Sequence, residues 1–590
     1  MSAPSPSPFP FVKTSPPPST HSTHSTDLAP SPATSRTYDE KAHTAPSTAP
    51  GPVDDGGSVG SPEPSTSPKK DARFWLIFLT LCCCCFLSAL DLTAVSTALP
   101  TIAADFESSE AAWIGSAYAL TSTALIPWTG GLAAIFGRRP VMIGGILLFA
   151  LGSGLTAGSS SMAMAIGGRS VQGVGGGAIL TMVEIVVCDL VPLAERGNYF
   201  GAIGAVWALA STLGPPIGGA LASAGAWRWL FWLNLPLCGI ALVLTVFFFK
   251  IKAPETTMEE KLEQMDYWNV LFCAAATSTI LGLTWGGGTH PWSSYKVLVP
   301  LIVGIIGMIA FVLIERKYVK HPTVPFDILV HPNALLGYLT TYLHAVVMLA
   351  IVYYFPLYFQ MRGYSAVESG VKIFSISWTI APFAIITGAI VTVTGHYVAL
   401  NWLAWVFITV GCGLMSLLKY DSPTSMWGAF PIVVGIGLGL AYTGTMFPVL
   451  APLKPAQQPY AITFYGFVRS FGQVLGITIG STVFSNQLGG KLPEAFVAQL
   501  GGEVSGDAAY ALVAQIAQLP EPIRSEVRSA YAETLVVLWQ VLIGLGGLGF
   551  LLSLGLRNLA LTTEMEESWG VQEKKKEGGA QGAEEEAVGR

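Results

Sequence analysis

Apolar residues recur along this chain in blocks of about 18–25, the length an α-helix needs to cross roughly 30 Å of hydrocarbon. Polar punctuation separates fourteen such blocks, near 74–99, 111–134, 141–158, 162–187, 200–222, 230–249, 267–285, 297–315, 335–358, 370–394, 401–418, 427–449, 460–486 and 533–556. In lipid every backbone N–H and C=O must be satisfied within the protein, so long apolar blocks dictate helices. Only 12% of the residues are charged, about half the share usual in soluble domains. That leaves too little polar surface to cover a water-facing globule. The expected fold class is an all-α polytopic membrane protein with 14 transmembrane helices.

The flanking segments differ in composition. Residues 1–73, rich in Ser, Thr, Pro and Ala, bury too little apolar surface to offset chain entropy and are expected to form a disordered N-terminal tail. They lack the early apolar run of a cleavable signal, so the first helix is expected to serve as an uncleaved anchor. Residues 557–590 read as a second solvated tail. An even number of spans puts both ends on one side. Lys69, Lys70, Arg73, Arg138, Arg139, Lys250, Lys252, Arg316, Lys317 and Lys320 make that side cytoplasmic by the positive-inside rule. Arg362, Lys372 and Lys419 run against it. The outer loop 487–532 contains "AYALVAQIAQLPEPIRSEVRSAYAETL", which reads as two short amphipathic helices around Pro520 and Pro522. Eight cysteines include the run Cys82 to Cys85. Helical neighbours fan about 100° apart, so the run suits lipid packing, with palmitoylation as a second reading. No metal site is expected.

A faint repeat organises the spans. "GGLAAIFGRRP" (Gly130 to Pro140) and "GAIVTVTGHYV" (Gly388 to Val398) share two glycines at one spacing, followed by Arg138 or His396. They follow the second and tenth blocks, which divides the chain into an N-terminal six-helix bundle (74–250), two inserted helices with flanking loops (251–330) and a C-terminal six-helix bundle (331–556). Repeated halves are a hallmark of secondary transporters, whose substrate site lies between them.

Ionisable residues inside apolar blocks are the informative exceptions. Asp91 stands in "CCCCFLSALDLTAVSTALP", where a mid-bilayer carboxyl costs roughly 2.5–3.5 kcal/mol unless satisfied. At about 1.5 Å per residue, Asp91 and Arg169 lie about 13 Å and about 10 Å from the outer ends of their helices, a shared level. Two readings stand: a switch in which a proton arriving at Asp91 frees Arg169, or a fixed ion pair that positions helices. Gln172 follows one turn after Arg169, and Gly173, Gly175, Gly176 and Gly177 permit close helix approach. In "TLGPPIGGALA" each proline deletes a backbone bond, so Gly214, Pro215, Pro216, Gly218 and Gly219 predict a kinked, small-faced helix, for rocking or for packing. Glu184, roughly 22 Å along the helix from Arg169, is placed at the inner mouth as a gate or a snorkelling surface group. Arg469 heads the series Gly472, Gly476 and Gly480 and suits either an acidic substrate or a structural pair. His344 reads as packing or as a proton relay. Gln172, Glu184, His344 and Arg469 are thus the candidates for substrate contact or relay. Trp113, Tyr118, Trp128, Trp207, Tyr353, Tyr354, Tyr358 and Tyr465 include interface anchors, and some suit an aromatic cavity.

Taken in order, "LDLTAVSTALP", "WIGSAYALTSTALIPWTGGLAAIFGRRP", "GRSVQGVGGGAI", "CDLVPLAERGNYFG", "LASTLGPPIGGALA", "WRWLFWLNLP" and "FVRSFGQVLGITIGS" resemble the motifs of major facilitator superfamily exporters. The resemblance is to the fourteen-helix drug:proton antiporter type, most like fungal multidrug and secondary-metabolite pumps. It implies that fold in a 6+2+6 arrangement. It places Asp91 and Arg169 in proton coupling, and Gly130, Gly137, Arg138, Arg139, Asp189 and Arg196 at a cytoplasmic gate. The antiporter motif falls on Gly214, Pro215, Pro216, Gly218 and Gly219. Ala134 stands where the family usually has an aspartate, so Arg138 and Arg139 need other acids, with Asp189 and Glu195 as candidates, and a weaker inner latch is expected.

The function this implies is proton-coupled export of small amphipathic compounds by alternating access. The alternative is proton-coupled import of a siderophore-like or other small molecule. An enzyme is disfavoured: the histidines are scattered, His21, His24 and His43 lie in the N-terminal tail, and no HxxxH or HExxH occurs. No GxxxxGK[ST] loop occurs, so ATP is not the expected fuel. No acidic ring suggests a channel. The expected partners are protons, a small-molecule substrate and the bilayer, without nucleic acid or cofactor, in a monomer at the plasma or vacuolar membrane.

Overall fold

The computed structural model describes residues 70–565, apart from 109–111, 252–256, 288–289 and most of 500–517. The N-terminal bundle comprises α1 (Ala72–Asp105), α2 (Ala112–Phe136), α3 (Arg138–Ala157), α4 (Met162–Leu190), α5 (Leu193–Ser223) and α6 (Trp229–Phe248). Two helices follow, α7 (Asn269–Trp285) and α8 (Tyr295–Tyr318). The C-terminal bundle comprises α9 (Pro332–Gln360), α10 (Phe374–Thr394), α11 (Val398–Met415), α12 (Thr424–Leu450), α13 (Gln458–Gln487) and α14 (Ile523–Leu554).

Thirteen helices among the described residues are long and apolar enough to cross a membrane. The exception, α7, has 17 residues and reaches about 25 Å at its helical rise. The chain is an integral, multi-pass membrane protein. Its apolar residues point both ways: Phe149, Met182, Ile351 and Leu438 are buried between helices, whereas Val299, Ile302, Ile306, Ile309 and Leu313 of α8 face outward. Outward aliphatic rows of this length are what lipid, not water, would solvate.

Two differences from the sequence reading concern the far end of the chain. "IRSEVRSAYAETL" forms no separate amphipathic helix, because it is the start of α14, running unbroken from Ile523 to Leu554. Val527, Ala530, Tyr531 and Thr534 are buried along it, so packing carries the helix past its polar residues. The tail after Arg557 is not solvated from its first residue. Leu559 N–H donates to the Tyr397 hydroxyl, and Ala194 N–H donates to the Thr562 carbonyl. The expectations for residues 1–69 and 566–590 lie outside the described residues.

The repeated glycines occupy matching places. Gly137 and Gly395 end α2 and α10 with φ of 92° and 68°, the left-handed region that favours glycine. Gly130 of α2 lies against Thr463 of α13, and Gly388 of α10 lies against Gly197 of α5. Exchanging corresponding helices of the two halves, α2 for α10 and α13 for α5, turns the first contact into the second. Each bundle therefore presents one glycine to the other at equivalent positions, a geometry that two glycines in sequence only hinted at. The inserted pair packs beside α2 through Ala124, Ile126, Phe272, Phe311 and Phe467.

Candidate functional site

Two charged clusters and one face of polar ties contain the residues singled out above. The first cluster lies within the N-terminal bundle. The Arg169 Nη1 donates to Asp91 Oδ2 at 2.6 Å and to Gln172 Oε1 at 2.7 Å, while its Nε donates to the Ile114 carbonyl at 2.9 Å. Gln172 Nε2 donates to Asp91 Oδ1 at 2.9 Å and to the Ser153 hydroxyl at 2.7 Å. Asn234 Nδ2 adds a third donor to Asp91 Oδ1 at 2.7 Å. The guanidinium carbon lies 4.3 Å from the centre of the Tyr118 ring, close enough for the ring face to stabilise positive charge. Asp91 is 4% exposed and Arg169 0%. A buried pair of this kind survives because each charge is also hydrogen-bonded.

Local sequence explains the convergence. The glycines of α4 remove the side chains that would hold its neighbours away. A Cβ on Gly173 would collide with Thr121, one on Gly175 with the backbone at Phe149, and one on Gly176 with the Tyr118 hydroxyl. On α5, Gly214 and Gly218 likewise admit Thr93 and Ala94 of α1. The Thr97 hydroxyl donates to the Pro215 carbonyl at 3.1 Å. Asn234 arrives through a break at Leu233, between the short turn Trp229–Trp232 and the helix from Asn234. Pro236 lacks the N–H that would continue the helix across that break.

The second cluster joins the bundles. Arg469 of α13 forms an ion pair with Glu184 of α4. Its guanidinium carbon stands 5.7 Å from the Tyr442 ring and 5.3 Å from the Tyr465 ring. Tyr442 in turn meets Trp207 at 6.3 Å and His344 at 6.4 Å between ring centres. Glu184 is therefore neither a lone carboxyl nor a snorkelling surface group: it is buried and paired across the interface. His344 packs beside this cluster with Nε2 3.1 Å from the Leu438 carbonyl, so with an acceptor opposite, Nε2 is the protonated nitrogen.

The third set lies on the face that carries both described chain ends. Arg138 Nε donates to Asp189 Oδ2 at 2.8 Å, and both side chains are buried. Arg139 donates to the Val246 carbonyl instead of an acid. Glu195 pairs with Lys70 at 3.3 Å. Arg196 donates to the Cys188 and Val191 carbonyls and reaches Gln458 Oε1 of the other bundle at 2.9 Å. Of the two acids proposed to stand in for an aspartate at Ala134, Asp189 takes Arg138 and Glu195 takes neither arginine.

Asn234, Ser153 and Tyr442 escaped the sequence reading. Asn234 had a weaker signal than a charge, an amide inside the apolar run "WLFWLNLP". Ser153 and Tyr442 had none, since serines and tyrosines are scattered through every span. Among the described residues no group of histidine, cysteine and acidic side chains could hold a metal ion.

A family model described as Major Facilitator Superfamily matches residues 81–477, which cover all three sets except the chain-end contacts. The chain belongs to the major facilitator superfamily. Within that superfamily it is similar to an efflux pump, FUS6, of Gibberella moniliformis, with 38% identity over 535 residues that cover 89% of this chain and 95% of the relative. It is also similar to the Acurin A biosynthesis cluster MFS-type transporter of Aspergillus aculeatus, with 35% identity over 530 residues, 88% of this chain and 95% of the relative. Among solved structures, the human organic anion transporter MFSD10 shares the fold with a TM-score of 0.52 at 16% identity, covering 82% of this chain and all of the other. This superfamily member accordingly resembles transporters of fungal secondary-metabolite clusters, and its context is a membrane and a small-molecule substrate.

Proposed function

We propose that this protein exports small amphipathic compounds, such as secondary metabolites, drugs or toxins, in exchange for protons. The observation that carries the proposal is the Asp91 carboxylate, deep in an apolar helix and held by Arg169, Gln172 and Asn234 together. Protonation of Asp91 removes the negative charge that Arg169 and both amides address. The freed guanidinium then has Gln172 and the Ile114 carbonyl as its partners, and α1 and α4 lose their strongest tie. A charge that vanishes in a medium of low dielectric changes helix–helix energies by several kcal/mol, enough to bias two arrangements of the bundles.

Alternating access places the pivot on α5 and α10, whose glycines bring the two bundles into backbone contact. Opening toward the chain-end face requires parting Arg196 from Gln458 and Gly130 from Thr463. In this reading that face is cytoplasmic, the segment between α13 and α14 is extracytoplasmic, and the monomer sits in the plasma membrane or the vacuolar membrane. Gly130, Gly137, Arg138, Arg139, Asp189 and Arg196 form the inner gate. Gly214, Pro215, Pro216, Gly218 and Gly219 form the flexible seam against α1. The resemblance to efflux pumps supports the outward direction, and the membrane potential contributes about 2.3 kcal/mol per charge for each 100 mV.

The test uses purified protein in liposomes under an imposed pH gradient, with a fluorescent amphipathic dye. Wild type should drive the dye uphill against its gradient, whereas Asp91→Asn should equilibrate it without accumulation. Undiminished accumulation by Asp91→Asn would overturn the mechanism, and accumulation in the direction of proton flow would identify an importer.

A further inference from the structure

We propose that Arg469 is the recognition point for the acidic group of an anionic amphipathic substrate, and that Glu184 is a built-in surrogate holding the guanidinium when the site is empty. The inference deepens the export reading by naming the substrate class, a flat or aromatic acid whose charge is a carboxylate or an acidic enol.

Three observations carry it. First, the two ion pairs of the interior differ in how replaceable the acid is. Asp91 takes donors from Arg169, Gln172 and Asn234 within one bundle. Glu184, among the described residues, accepts a hydrogen bond from Arg469 only, and that bond crosses between bundles. Displacing a carboxylate with a single donor breaks one hydrogen bond, which an incoming carboxylate on the same guanidinium restores, and leaves Glu184 to take up a proton or water. A guanidinium offers five donors in a planar fork, so it has capacity for a second acid.

Second, the Glu184–Arg469 pair is reachable. The side chains of Arg469 and Glu184 are 15% and 8% exposed, against 0% and 1% for Arg169 and Asp91. Gly466, one turn before Arg469, packs against the pair: a Cβ there would stand 3.1 Å from Glu184 Oε2. Third, the surroundings suit a ring. Tyr442 and Tyr465 flank the guanidinium, Tyr442 partly exposed and Tyr465 buried, and the buried Trp207 and His344 pack against Tyr442. Faces of this kind take flat apolar bodies while the cation takes the charge.

The experiment measures equilibrium binding to the full chain in lipid nanodiscs, using 1-pyrenebutyrate and its methyl ester as a pair that differs in one charge. Wild type should bind the acid several-fold more tightly than the ester. Glu184→Gln removes the competing carboxylate and should strengthen acid binding by about tenfold while leaving the ester within twofold. Arg469→Gln should erase the preference, and Arg469→Lys should keep part of it. Equal affinity of wild type for both probes, no binding of either, or an equal loss of both in Arg469→Gln variants that melt like wild type would each overturn the assignment. Loss of pH-driven uphill transport without loss of the charge preference would instead refute the export reading alone.

Discussion

Asn234 holds the third donor on Asp91, and a proline-assisted break in α6 puts it there. Removing it leaves the carboxylate with Arg169 and Gln172 and opens a small polar void. Asn234→Ala should lower proton-driven transport several-fold, and loss of one buried hydrogen bond to a charge should destabilise the protein by about 1.5–3 kcal/mol. Flux in liposomes and thermal melting of the same preparation check both. At the opposite end of α1, Asp105 accepts hydrogen bonds from Arg228 at 2.7 Å and Trp227 at 3.1 Å. Those bonds, Arg228's first, hold its carboxyl below the usual 3.8. A lowered carboxylate contributes stability above its unfolded value and loses it as pH falls through the folded one. The tie should therefore persist through any medium above about pH 4. Melting curves of Asp105→Asn should differ from wild type by the same amount at pH 5 and at pH 7. At this scale the Asp91–Arg169 pair was legible because a mid-membrane charge is too costly to be incidental. That Gln172 and Asn234 would be its amide partners was not, because an uncharged residue carries no comparable penalty.

Helix approach is decided by which residues lack a side chain. On α10, Gly388 and Gly395 share a sequence motif but have different tasks. Gly395 adopts a left-handed φ of 68° with open space where its Cβ would lie. Gly395→Ala should cost only about 1–2 kcal/mol, the price of that conformation. Gly388 lies against the Gly197 backbone, and a Cβ on Gly197 would come within 2.6 Å of the Gly388 carbonyl. Gly388→Val should separate α5 from α10, lower the melting temperature further than Gly395→Ala, and abolish transport. If both variants melt alike and pump alike, the close contact is not the pivot. Hydrophobic blocks fixed the existence of the helices, while their ends followed packing. Leu193 rather than residue 200 begins α5, and Ile523 rather than residue 533 begins α14. Polar residues buried against neighbouring helices extend a span beyond the point at which its composition stops being apolar.

Across the whole molecule, the two bundles are tied on the chain-end face by a sparse set of contacts. Among the described residues, a side-chain hydrogen bond from Arg196 to Gln458 crosses between them there. Gln458→Ala should loosen the start of α13, seen as several-fold faster hydrogen exchange over Gln458 to Ile462, with exchange in α4 near Asp91 unchanged. Ala134 is the complementary case. Ala134→Asp adds a carboxylate near Arg138 and Arg139, and Arg139 now donates to a backbone carbonyl. That substitution should slow transport and reduce labelling of the same face. Unaltered rate and unaltered labelling would show that Asp189 already supplies the latch.

The sequence alone determined the membrane, the helical class and the cost of Asp91, because each follows from transfer energies and periodicities that any helix in lipid obeys. The tertiary structure alone decided partners. It set Asp189 rather than Glu195 opposite Arg138, Asn234 beside Asp91, and Arg469 against Glu184 at a separation of 285 residues. Those pairings depend on how helices rotate and cross, and rotation is fixed by glycine contacts that a linear pattern does not reveal.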